Sequence, residues 1–242
     1  MDLSIDLLTC VMAFGITTLG ATLQGSIGFG LGLIGVPLLV MINPVFVPGP
    51  ILLAALGLTT LISRREHRSI KIKEIKWAIA GRLAGTGIGA VVLTLIPKNS
   101  LSMLFGTMVL IAIAISISGI KLKLTPENLL VSGTFSGIMS ITAAIGGAPM
   151  ALAYQHQKGP KLRGSLSSIF IFGTIISIST LVFIHRFGLI EIKAALILVP
   201  GVLLGYFVSC HTAKLLDRGF IRPVLLTASA ISGIIVIIRS LT

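Results

Sequence analysis

The side chains with the most chemical capacity sit among glycines at two places in the chain. Gln24, Gly25, Ser26, Gly28, Phe29 and Gly30 fall in the first, and Ser140, Thr142, Gly146, Gly147 and Pro149 in the second. Amides and hydroxyls without a neighbouring carboxylate, thiol or imidazole are hydrogen-bond donors, not acids, nucleophiles or metal ligands. Glycine lets backbone N–H groups approach a bound group closely, and a helix that starts there presents about half a positive charge. The chemistry that fits is the holding of a small anion, with no cofactor and no metal. Other chemistries lack residues: the chain has no Gly-x-x-x-x-Gly-Lys-Ser/Thr phosphate loop, no Cys-x-x-Cys, and no Ser/His, Cys/His or paired-acid constellation. It is not read as an enzyme, and it does not hydrolyse ATP by itself.

Both places lie inside apolar runs. The first is a glycine ladder from Gln24 to Pro37 within a run from Leu3 to Ile42. A dinucleotide-binding loop would need a preceding strand and an acidic residue about 20 positions on, and no carboxylate occurs between Asp6 and Glu66. The chain is 55% hydrophobic and only 11% charged over 242 residues, with a mean hydropathy of +1.07, too little polar surface to coat a water-soluble globule. This composition predicts an all-α integral membrane protein. In hydrocarbon each backbone group freed by glycine or proline costs several kcal/mol unless protein or a water-filled cavity receives it, so the ladders predict broken helices at membrane depth. The net charge of +12 is gathered in short segments between apolar runs, the distribution of cytoplasmic loops and not of a nucleic-acid surface. Cys10 and Cys210 read as packing residues, and His67, His156, His185 and His211 as interfacial ones. The N-terminus carries Asp2 and Asp6 and no basic region, which argues against a cleaved signal peptide.

Taken in order, a broken hairpin covers 7–42, with a helix over 7–23 and a second arm over 33–42 that at 1.5 Å per residue reaches about 15 Å and cannot span alone. Helices follow over 45–63, 77–96 and 101–120. A second broken hairpin covers 129–154, interrupted at Gly146 and Gly147, and helices follow over 166–184, 192–210 and 220–238. Arg64, Arg65, Arg68, Lys71, Lys73 and Lys76 make the densest basic segment and place it in the cytoplasm; Lys121 and Lys123, then Lys158, Lys161 and Arg163, mark the same side.

Sliding the chain by 112 residues sets Gly25 on Gly137, Gly35 on Gly147 and Pro37 on Pro149, and a slide of 120 sets Lys73 on Lys193, Gly81 on Gly201 and Gly85 on Gly205. The chain therefore reads as two related repeats, 1–124 and 125–242. One re-entrant hairpin plus three spans is an odd number of crossings, so the repeats are inverted. Opposed broken helices meeting near the midplane are the recurrent construction of secondary transporters. If each broken segment instead crosses, eight spans and parallel repeats result, which the charge distribution disfavours.

Arg82, Thr174 and Ser177 are candidates for the pathway. Arg82 lies six residues inside the cytoplasmic end of its span, lining the inner mouth or else snorkelling to the interface. Gly173, Thr174, Ser177 and Thr180 share a helix face, although hydroxyls in membranes also bond their own backbone. Gly81, Gly85 and Gly89, and Gly201 with Gly205, have the spacing of close helix packing, and the ladder glycines have the same alternative reading. No carboxylate falls inside a span, so a proton relay on buried acids has no residues to run on.

At the two motifs the chain resembles the sulfite exporter TauE/SafE family. The likeness is carried by Gly25-x-x-Gly28-Phe29-Gly30-x-Gly32-x-x-x-Val36-Pro37 and by Gly137 with Gly146-Gly147-Ala148-Pro149, supported by Gly201, Gly205, Lys214, Leu215 and Arg222, and it runs over nearly the whole chain. Leu31 and Ala148 stand where the family often has glycine. The resemblance implies about eight helices in two related halves and the transport of sulfite, sulfoacetate or another small organosulfur anion. The combined expectation is a multi-pass protein of the bacterial inner membrane that exports a sulfur-containing anion by alternating access at a midplane site between the hairpins, with uptake as the rival direction and a non-transporting scaffold as the rival class. Its partners are then the anion and membrane lipid, and no nucleic acid.

Overall fold

A computed structural model describes residues 5–69, 72–97, 100–118, 120 and 122–216. These residues form helices α1 (Leu7–Ile27), α2 (Leu31–Ile42), α3 (Gly49–Arg65), α4 (Ile72–Leu95), α5 (Leu101–Ile117), α6 (Pro126–Ala143), α7 (Gly147–Ala153), α8 (Gly159–Phe183) and α9 (Leu189–Leu216), with no strand among them. The helix expected over 220–238 lies outside the described residues. Among the described residues four helices, α1, α4, α8 and α9, are long and apolar enough to cross a membrane. Leu7, Leu95, Phe183 and Leu189 turn most of their surface outward, as hydrocarbon solvent allows and water does not.

Helix ends follow local chemistry. Asp6 caps α1 by accepting the Thr9 N–H at 3.3 Å, which holds its carboxyl below the ordinary value. Thr125 caps α6 through Asn128 N–H, with Pro126 in the first turn. The third helix starts at Gly49, not at residue 45, because Asn43 caps a short 3-10 turn over Pro44–Phe46. The eighth starts at Gly159, seven residues before the expected 166, since Pro160 is at home in a first turn. Lys161 and Arg163 are therefore helical, and Arg163 is buried.

Close approaches fix the directions. Gly81, Gly85 and Gly89 of α4 meet Leu130, Thr134 and Ile138 of α6 backbone to backbone, in rising order on both helices, so α4 and α6 run parallel. Gly201 and Gly205 of α9 meet Thr17 and Thr18 of α1 in the same sense, and Gly25 meets Ser209. The packing reading of these two glycine series is the one the structure bears out. Ser63 Oγ lies 3.3 Å from Ser168 Oγ while Glu66 pairs with Arg163, so α3 and α8 are antiparallel. Tyr206 reaches the Leu61 carbonyl and Arg65 reaches Ser209, which sets α3 parallel to α9. Thus α1, α3 and α9 run one way, toward the end that carries Arg65, and α4, α6 and α8 the other.

Candidate functional site

Two chain reversals build the site. α1 ends where Gly28 adopts φ 95°, and α2 begins after Gly30 at φ 140°, backbone that only glycine takes without strain. Leu31 then lies against Gly20, and Gly30 against Leu23, so the chain has folded back on α1. α6 ends at Ala144 with φ 58°, and Gly146 precedes α7. Gly146 lies against Ser136 and Ser140, again a reversal. The reversals touch each other: Gly32 fits against the Ala144 carbonyl and Gly147 against Phe29. The second break is at Ala144–Gly146, slightly before the expected Gly146–Gly147, because α7 already begins at Gly147.

Between the reversals is a cavity of about 40 Å³, where a single water needs about 10–15 Å³. Gln24, Phe29, Gly30, Ser140, Gly146 and Gly147 line it from the two motifs, and Arg82, Thr174, Thr59 and Phe170 from neighbouring helices. Arg82 dominates its electrostatics. It is 1% exposed, the largest fully buried side chain described. Nη1 donates to Ser136 Oγ at 2.9 Å and Nη2 to Ser140 Oγ at 3.0 Å, and the guanidinium stands 5.3 Å from the Phe170 ring centroid. Nε has no partner and lies over Gly173, where any Cβ would overlap it. Among the described residues no carboxylate is within ion-pair distance of this side chain. Guanidinium stays charged in proteins, and an uncompensated buried charge costs several kcal/mol. The arrangement is a buried cation whose described protein partners are neutral.

Arg82 adds a full positive charge to what the helix starts can offer. Gln24 Oε1 accepts the Leu31 N–H at 3.1 Å, spending the first amide of α2 on the protein itself. α7 has only seven residues and so little dipole to offer. Arg82 does not snorkel: it is buried, with its guanidinium held by Ser136 and Ser140 of α6, and it is the eleventh of the 24 residues of α4, which begins at Ile72 and not at Trp77. Six expected site residues are elsewhere. Gly25 packs on Ser209 and Gly28 on Leu166; Ser26 Oγ donates to the Thr22 carbonyl and contacts Thr212 Oγ1; Thr142 donates to Ile138; Pro149 is buried within α7; Ser177 is buried one turn beyond the cavity. Sequence reasoning passed over Ser136, Thr59 and Phe170. Ser136 was findable, being one turn before Ser140 on the same face.

A family model for the sulfite exporter TauE/SafE matches residues 13–236. The chain belongs to the sulfite exporter TauE/SafE family. Comparison with curated proteins and with solved structures found no match. Family membership makes this TauE/SafE protein a multi-pass membrane transporter of the anion-exporter type, with a small anion as its substrate. A buried, uncompensated arginine between two reversals is chemistry that such a transporter can use.

A second ionic cluster lies toward the basic end. Glu66 Oε1 accepts from Arg65 Nε at 2.9 Å and from Arg163 Nε at 3.0 Å. The same arginines donate to the Gly25 and Ser26 carbonyls at the end of α1, where the helix dipole favours cations. This ties the tip of the first reversal to α3 and α8, so Glu66 and Arg163 are structural partners of the site.

Proposed function

We propose that this TauE/SafE protein is a secondary transporter that moves a small sulfur-containing anion, sulfite or an organosulfonate, across the cytoplasmic membrane by alternating exposure of the Arg82 cavity. The observation that carries the reading is Arg82 itself: fully buried within an apolar helix, hydrogen-bonded to two neutral hydroxyls and without a carboxylate partner among the described residues. A bound oxyanion would complete the pair, accepting from guanidinium N–H groups left over after Ser136 and Ser140, while the Ser140 hydroxyl proton remains to be donated. The apolar walls from Phe29, Leu31, Ile51 and Phe170 suit the organic end of a sulfonate.

We further infer that residues 1–124 and 125–242 are inverted repeats. The opposite running directions of α1 and α6, of α3 and α8, and of α4 and α9 support this, as does the meeting of the two reversals. The basic end is then cytoplasmic. Outward movement of one negative charge across an interior-negative membrane releases about 2.3 kcal/mol per 100 mV, which favours export without a coupling ion. The test is a ligand-stabilisation screen of purified protein with sulfite, sulfate, thiosulfate, taurine and sulfoacetate, repeated on Arg82→Gln and Arg82→Lys. At least one sulfur anion is expected to raise the unfolding temperature of the wild type, Arg82→Lys to weaken that anion by about tenfold and Arg82→Gln by about 100-fold, for loss of the fork and then of the charge. Equal stabilisation of all three proteins would remove Arg82 from binding.

A further inference from the structure

Five buried side-chain atoms among the described residues have no hydrogen-bond partner: Arg82 Nε, Thr86 Oγ1, Ser165 Oγ, Ser167 Oγ and Ser177 Oγ. Other buried hydroxyls of this chain are satisfied by the carbonyl one turn back, as Thr17 is by Ala13, Thr59 by Ala55 and Thr142 by Ile138. The orphans are therefore not a general feature of its helices, and a buried hydroxyl without a partner is costly enough to need an explanation. Four of the five fall into a register. At about 100° per residue, Arg163, Ser167, Phe170, Thr174, Ser177 and Leu181 of α8 lie within an arc of about 80°. Arg82 and Thr86 are one turn apart on α4, with Arg82 against Phe170 and Gly173. Ala90, a turn further, shares an apolar cluster with Leu181, so the parallel α4 brings Thr86 to the level of Ser177.

We propose that this stripe of α8 is the track along which the anion travels, with Ser167 and Ser177 as hydroxyl stations on either side of Arg82. The inference rests on the reading of Arg82 as the anion site and adds the route to and from it. Reading along the stripe from the basic end, Arg163 is tied to Glu66 and to the Ser26 carbonyl, Ser167 follows, then Phe170 and Thr174 at the cavity, then Ser177, then Leu181. Leu181, Leu93 and Leu52 form an apolar plug between the cavity, which Leu52 lines, and an open recess lined by Leu93, Arg186 and Phe187. The unpartnered hydroxyls supply donors to a passing oxyanion where helix packing leaves no water-exposed backbone. Ser165 faces away from the stripe and is not part of it.

The test replaces Ser167 and Ser177 one at a time by cysteine in full-length protein whose Cys10 and Cys210 are serine, and exposes it to a membrane-impermeant methanethiosulfonate bearing an ethylsulfonate, itself a sulfonate anion. Both cysteines are expected to react about tenfold or more faster than one at lipid-facing Ile175, since only a hydrated, anion-accessible thiol ionises and reacts. Rates no greater than at Ile175 overturn the track. In proteoliposomes Ser167→Ala and Ser177→Ala are expected to slow sulfite flux by about fivefold each, with the Ser→Thr variants within about twofold of wild type and the anion-induced unfolding shift unchanged. Flux equal to wild type in both alanine variants, or losses that threonine does not restore, also overturns it. Failure of the Arg82 reading shows separately, as loss of the difference in anion stabilisation between wild type and Arg82→Gln.

Discussion

At the scale of the residue, the position of one guanidinium is set by an absence on the facing helix. Gly173 leaves the space into which Arg82 Nε settles, and Phe170 and the hydroxyls of Ser136 and Ser140 hold the rest. Gly173→Ala puts a methyl group where Nε lies, and the fork must move off at least one serine. Alanine is otherwise the better helix residue by about 0.5–1 kcal/mol, so the variant is expected to assemble and yet bind its anion about tenfold more weakly in the stabilisation screen. Unchanged binding in a folded Gly173→Ala protein would mean that the orientation of Arg82 does not matter. Arg82 was legible as a charge in an apolar run, but its burial was not, because the serines that hold it lie 54 and 58 residues further on.

At the scale of the element, the two reversals were legible and their register was not. Gly28 and Ala144, the left-handed residues that close α1 and α6, are 116 residues apart, whereas the best slide of the sequence at these motifs is 112. The difference is close to one helical turn, the slip that sequence periodicity resolves least, because side chains four apart share a face. The paired prolines that guided the slide are not equivalent: Pro37 lies midway along α2 and Pro149 in the first turn of α7. The functional weight of the second reversal remains testable at Gly147, whose Cβ would meet Phe29 Cβ at 3.2 Å. That contact needs only a small shift, so Gly147→Leu is expected to reach the membrane assembled, by size-exclusion profile, and to lose flux. Wild-type flux from this variant would take α7 out of the mechanism.

At the scale of the whole molecule, alternating directions and shared contacts place the starts of α4 and α8 beside the end of α3. Glu66 of the α3 cap bonds Arg163 in the second turn of α8, so Ser69 and Lys158, just outside those helices, belong to one side of the membrane. Cysteines at Ser69 and Lys158 are expected to label from the same face, the cytoplasmic one, and a cysteine at His185 from the opposite face. Labelling of Ser69 and Lys158 from opposite faces would require eight full crossings and parallel repeats. The helix contacts that join residues 1–124 to residues 125–216 are glycine contacts between parallel helices, α4 on α6 and α1 on α9, where van der Waals packing does in lipid what the hydrophobic effect does in water.

The sequence by itself determined the solvent, the helical class, the family and the presence of two interrupted segments. Those follow from composition and from glycine and proline, whose effects are local. Only the tertiary structure decided which residues face the cavity. Gln24 and Ser140 enter it, while Gly25 and Ser26, one or two positions away, turn to α9, and Thr142 bonds back to the Ile138 carbonyl of its own helix. A helix rotates by about 100° per residue, so a motif names a neighbourhood, and the facing helix selects the side chains within it. The buried arginine beside the cavity has the same origin: Arg82 is 54 and 58 residues from Ser136 and Ser140 in sequence and meets them because glycines let α4 and α6 touch.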